Sequence, residues 1–373
     1  METNAPEKPK RLKSLDALRG FDMFFIFGGE SLFITLGTLT SLPLFKWIEM
    51  QMEHVAWNGF HFYDNIFPMF LFIAGISFPF SLIKRQQSES KGKIYYHIIL
   101  RGLILVLLGF IYNDFLSFDF ANQRYASVLG RIGLAWMFAA LIFMNTNRLW
   151  RSIIVSAILL GYWLLLATVK APDAPPDADS YSMAGSIVGY FDRILLPGRL
   201  YLTIHDPEGI LSTIPAIATA LLGMLTGELV MLKDARLTPY KKALVMFLAG
   251  CVLLVIAKIW DLTFPINKNL WTSSFVCMSA GLTLVLFSVF YLIIDIWNYS
   301  GWAFFFTVIG MNSIVAYMAS HFISFDYTAR ALFGGLIHLL PQNLQPLFSI
   351  IAGISVGWAF LYFLYKKKWF LKV

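Results

Sequence analysis

The sequence predicts an all-α integral membrane protein: a polytopic bundle of about ten transmembrane helices, or eleven if one short segment also crosses. Three observations carry this. Hydrophobic residues make up 58% of the 373 and charged residues only 14%, against about 25% charged in soluble domains. Apolar runs long enough to cross a bilayer, which takes about 20 residues, recur along the whole chain. Basic residues fall in short clusters between those runs, the positive-inside pattern, rather than on one patch. The net charge of +7 therefore gives no reason to expect nucleic acid. Helices rather than barrel strands follow from the length of the runs, because backbone groups in lipid must be satisfied within the segment.

The first run, at about 21–44, follows the polar, basic METNAPEKPKRLK and has no small-residue cleavage site, so a retained span is expected rather than a signal peptide. Further runs lie at 62–83, 95–115, 128–146, 150–169, 210–232, 242–263, 270–296, 302–324 and 345–365. The stretch 329–340 is short and contains Gly334 and Gly335, which suits a half-span or an interfacial helix. Ten spans put both chain ends on one side. Basic residues favour that side by about two to one, so it is expected to be cytoplasmic. The expected organisation is a basic cytoplasmic tail at 1–13, one transmembrane domain over 14–366 and a second basic tail at 367–373. The loops at 45–63 and 170–208 then face outward. Cys251 and Cys277 lie inside apolar runs and are read as packing residues, not as a disulfide or a metal pair.

Titratable residues gather at the outer end of the second span. His54 can act as a general base or as a nucleophile that is briefly acylated, with Glu53 or Asp64 to orient its ring. An interfacial histidine bonded to headgroups or water is the ordinary alternative. His61 and Asp64 stand at i and i+3, but no third or fourth ligand is near and no metal is expected. Asp22 and Glu30 are two helical turns apart in the first span, and carboxylates inside a span usually face a cavity or the bundle interior. Asp16 and Arg19 are spaced to pair on a helix. Arg131 opens the fourth span, His205, Asp206 and Glu208 mark the mouth of the sixth, and Asn312 and His321 lie nine residues apart in the ninth.

Six ordered blocks extend this reading: RLKSLDALRG, the H-x-x-WNG-x-x-x-x-D-x-x-FP pattern from His54, GRIGLAW, DPEGILSTI, NKNLWTSSF and GMNSIVAYMASH. With them the chain resembles the transmembrane acyltransferases of the heparan-α-glucosaminide N-acetyltransferase family, from about residue 11 onward. The resemblance implies transfer of an acetyl group from cytoplasmic acetyl-CoA to the amine of a glucosamine-type sugar, or a glycan end, on the far side of the membrane. It implies that His54 is the acetyl carrier or the base, with Asp64 beside it. Asn58, Glu30, His205, Asp206, Glu208, Asn269, Asn312 and His321 are the expected acceptor and acetyl pocket, and Arg19 and Arg131 the expected CoA-phosphate ligands. Expected partners are the sugar, CoA and membrane lipid, in the bacterial cytoplasmic membrane, with a homodimer left open. FIFGGE stands where some relatives carry an Asn before paired glycines, so Glu30 takes the polar position there. A secondary transporter of N-acetylglucosamine and an O-acetyltransferase of envelope glycans are the alternatives.

Overall fold

The computed structural model describes residues 12–371; most of the expected tail at 1–13, and the end of that at 367–373, lie outside the described residues. Among the described residues helices are joined by turns and loops, with two isolated β-bridges and no strand. In chain order the helices are α1 (Lys13–Leu39), α2 (Pro43–Gln51), α3 (Phe62–Gln86), α4 (Lys91–Tyr112), α5 (Val128–Asn145), α6 (Arg148–Thr168) and α7 (Ile187–Leu195). Then come α8 (Thr213–Met231), α9 (Pro239–Asp261), α10 (Ser273–Ile296), α11 (Phe304–Met311), α12 (Ser313–Phe322), α13 (Phe325–His338) and α14 (Gln345–Lys367).

Nine of these are long and apolar enough to cross a membrane, and α11 with α12, bent by 78° at Asn312, makes a tenth. Most of the segment at 329–340 lies in α13, whose 14 residues reach about 21 Å and fall short of a hydrocarbon core of about 30 Å. It packs on α14. Many starts are set by side chains that accept an orphan N–H: Ser90, Ser127, Asn147, Thr238 and Thr272 cap α4, α5, α6, α9 and α10.

Two departures from the sequence reading sit in α1. The helix begins at Lys13, not near 21, and SLDALRG forms its largely buried first two turns. A π-turn over Phe25–Gly29 bends it, with Gly28 at φ 115°, a conformation that only glycine adopts without strain. The bend breaks the helical phase between Asp22 and Glu30, so two-turn spacing no longer puts them on one face.

Helices α3, α5, α8 and α10 are mostly buried and form the centre, while α4, α6, α9 and α14 present most of their surface outward. Glycines let several of these backbones touch. Gly75 and Gly223 meet between α3 and α8, Gly102 and Gly133 between α4 and α5, Gly250 and Gly281 between α9 and α10, and Gly20 and Gly310 between α1 and α11. Small residues at crossings are how helices associate in lipid, where packing replaces the hydrophobic drive.

The two ends of the bundle differ. At the terminal face the N–H groups of Lys13 and Ser14 donate to Asp295 at 3.1 and 3.2 Å, and Arg148 and Arg151 hold Glu228 at 3.0 and 2.8 Å. At the loop face four connections lock together: Gly59 N–H donates to Ile266 at 2.8 Å, Trp57 Nε1 to Tyr181 at 2.8 Å and Tyr162 Oη to Leu270 at 2.7 Å, and Arg199 N–H donates to Gln123 at 3.1 Å.

Candidate functional site

His54 lies on the coil between α2 and α3, where Gly59 at φ 123° turns the chain and His61 N–H starts the first turn of α3 by donating to Asp64 Oδ2 at 3.0 Å. The other Asp64 oxygen accepts from His54 Nδ1 at 2.7 Å. Asp64 is 1% exposed, whereas the His54 side chain is 49% exposed and rests on the Tyr63 ring at 4.8 Å. A buried carboxylate on Nδ1 sets the tautomer: Nδ1 carries the proton and Nε2 keeps its lone pair. His61 is turned away, its Nδ1 donating to the Glu53 carbonyl at 2.9 Å.

Lys268, from the connection between α9 and α10, completes the group. Its Nζ stands 3.1 Å from both His54 ring nitrogens and 3.6 Å from Asp64 Oδ1. Burial pushes the Lys268 ammonium below its ordinary range, while Asp64 and Glu208 pull it back up. A tight turn holds the lysine: Asn267 Oδ1 accepts from Leu270 N–H at 2.8 Å, and Asn267 Nδ2 donates to Asn58 at 3.0 Å.

A second cluster adjoins it. Arg124 donates to Asp206 through Nε at 2.9 Å and Nη2 at 2.6 Å, and also pairs with Glu208. Burial alone would raise the Asp206 carboxyl, but the Arg124 bonds outweigh it and hold it below the usual range. The same pairing raises Arg124 against its own burial. Asp192 accepts from the N–H groups of Ile210 and Asp206 at 3.0 and 3.4 Å; burial lifts it to about 6. Burial also lowers His205 to about 4, leaving it neutral with Nε2 donating to the Asn269 carbonyl at 3.0 Å. Arg131 donates to Gly209 at 3.2 Å and to the Ser212 hydroxyl, its guanidinium over Trp271 at 4.9 Å.

The residues singled out in the sequence thus divide into two regions. His54, Asn58, Asp64, Arg131, His205, Asp206, Glu208 and Asn269 share the loop face. Glu30 joins them by facing the Tyr63 hydroxyl. His321 stacks on Tyr112 at 4.2 Å and lines, with Arg124 and Tyr201, a cavity of about 460 Å³. Asn312 does not join them: its amide donates to the Trp369 carbonyl at 3.0 Å and accepts from Leu371 N–H at 3.2 Å, beyond the end of α14. Arg19 also stands apart from Arg131. It bonds Ser77 at 2.8 Å and lines a separate cavity of about 280 Å³ with Arg101, Trp136, Ser313, Phe370 and Leu371.

No family model matches the chain. Among curated proteins it is 27% identical to heparan-α-glucosaminide N-acetyltransferase of Homo sapiens, in an alignment covering 98% of the chain and 60% of the relative. It is 28% identical to the protein of that name from Mus musculus, over 86% of the chain and 56% of the relative. The chain is thus similar to these two N-acetyltransferases along most of its own length. It spans less than two thirds of the length of these two relatives.

Sequence reasoning passed over two cations. Lys268 counted only as an outward charge, although it lies between Asn267 and Asn269 in one of the six blocks. Arg101 counted only as a cytoplasmic charge, yet it sits midway along α4, stacks on Trp136 at 4.2 Å and leaves Nε without a partner. An ionisable residue inside an apolar run is the signal that would have found it.

Proposed function

We propose that this protein transfers an acetyl group from acetyl-CoA, bound from the terminal face, to the amine of a glucosamine-type sugar at the loop face. The observation that carries the reading is the 2.7 Å bond from His54 Nδ1 to the buried Asp64, which leaves the Nε2 lone pair for chemistry at a half-exposed position beside Lys268. Nε2 then accepts the acetyl group or removes a proton from the attacking amine, which must be neutral to react. The relatives' printed name, an N-acetyltransferase of a glucosaminide, supports the same chemistry.

CoA is large and highly charged, so only its acetyl end needs to reach His54. Its phosphates suit the cavity of Arg19 and Arg101, which shares Arg101 and Trp136 with a neighbouring one of about 200 Å³ lined by Arg85 and His97. Arg131, occupied at the loop face, is left to hold the 206–212 turn. The acceptor side takes Asn58, Glu208 and His321. With basic clusters inside, the terminal face is the cytoplasmic side of a bacterial membrane.

Purified protein in detergent, given radiolabelled acetyl-CoA and glucosamine, is expected to yield acetylated sugar, and His54→Ala to abolish the product while the protein still accumulates. Reconstituted vesicles that accumulate sugar, with no label on sugar or protein, would replace the enzyme with a transporter.

A further inference from the structure

We propose, resting on the acetyl-transfer reading, that Lys268 is the catalytic cation that binds the carbonyl oxygen of the acetyl group as it becomes an oxyanion. Its Nζ is equidistant, at 3.1 Å, from His54 Nδ1 and Nε2, so it stands over the ring face on the plane that bisects the two nitrogens. Asp64 already occupies Nδ1, and chemistry falls to Nε2. An acetyl oxygen joined to that nitrogen through one carbon lies roughly 2.3 Å from it, by ordinary amide bond lengths. Turned toward the lysine, that oxygen falls within hydrogen-bond reach of Nζ.

The cation is also fixed beforehand, which is what makes such a donor effective. Its side chain is 17% exposed, the Asn267 turn holds its backbone, and the Asp64 carboxylate stands 3.6 Å from Nζ. The place serves both routes. In the carrier route the Nε2–C bond forms as the carbonyl pair moves to oxygen, and that pair returns as the C–S bond breaks and the thiolate leaves with its electrons. The sugar amine then displaces His54 through a second oxyanion at the same point. In the direct route the amine attacks the thioester and His54 takes its proton. Either way R–NH2 and CH3CO–S–CoA give R–NH–COCH3 and HS–CoA. In the direct route the thiol proton comes from the amine by way of His54; in the carrier route the departing thiolate takes a proton from water and the amine's proton returns to water through the freed Nε2, and in both Lys268 keeps its own.

The alternative is that Lys268 only neutralises Asp64, and the test separates the two. A trifluoromethyl ketone analogue of acetyl-CoA forms an adduct bearing the oxyanion, whereas CoA itself does not. Lys268→Met is expected to lower kcat by about 10²–10³-fold, with a comparable loss of affinity for the ketone. CoA affinity and the melting temperature should stay near wild type, and Lys268→Arg should recover part of the rate. The inference is overturned if Lys268→Met turns over within about threefold of wild type, or if ketone and CoA affinities fall together. A wild-type protein that moves no acetyl group overturns the enzyme reading along with it.

Discussion

Asp64 does three jobs at once, and its replacement shows which matters most. It orients His54, starts α3 through His61 N–H and balances Lys268. Asp64→Asn keeps one acceptor oxygen, puts a donor NH2 in place of the other, and removes the charge that would stabilise an imidazolium. Its kcat is expected to fall by about 10²–10⁴-fold with little change in melting temperature. A loss of folding instead would make Asp64 structural. His205 makes a different prediction. Its folded-state pKa of about 4 lies below the ordinary 6.5, so the unfolded chain binds the proton first, and stability is lost as pH falls from about 6.5 toward 4. Asp192, lifted to about 6 from an ordinary 3.8, has the opposite sign and offsets much of that loss from about pH 6 downward. His205→Gln, which keeps a donor for the Asn269 carbonyl, should flatten the acid limb of a thermal-unfolding profile in detergent. An unchanged limb would assign it to other groups. His54 and Asp64 were legible at this scale because they are ten residues apart, on one coil and the helix turn that follows it. Lys268 was not, since its partner is 214 residues away and only the folded loops bring them together.

At the scale of elements, hydropathy marked the ten spans well, because a crossing helix must be apolar along its length. It failed where polar residues are buried by another helix rather than by lipid. SLDALRG is such a case: it reads as a membrane-proximal segment, but Ser14, Asp16 and Leu18 are buried. The break at Asn312 was equally hidden. Asn312 sits where α11 gives way to α12, and its amide grips the main chain of Trp369 and Leu371 after Lys368, at φ 57°, has turned the chain back. Asn312→Ala removes both bonds, and amide exchange at Leu371 should speed up by at least about tenfold while exchange within α14 stays slow. Equal exchange in the two proteins would show that packing of Phe370 and Leu371, not the amide, holds that segment. For the connection after α6, a cysteine placed within 173–179 should react with an impermeant thiol reagent on intact cells. Labelling only after lysis would invert the proposed orientation.

Across the whole molecule, the proposed chemistry and the helix crossings rest on different residues. The loop-face cluster and the Arg19–Arg101 cavity lie at different levels of one bundle whose central helices are held backbone to backbone. At those crossings a side chain as small as a methyl group meets main-chain atoms: one added at Gly75 strikes the Ala220 carbonyl, one at Gly223 the Phe72 carbonyl and one at Gly310 the Asp16 carbonyl. Carbonyls inside a helix cannot swing aside as a long side chain can. The consequence concerns how this protein fails when its gene varies. A saturation scan that scores both cellular abundance and product should sort damaging substitutions into two separate groups. Changes at His54, Asp64 and Lys268 should leave normal amounts of silent protein, while Gly→Ala at 75, 223 and 310 should leave little protein, each surviving copy working at nearly the normal rate.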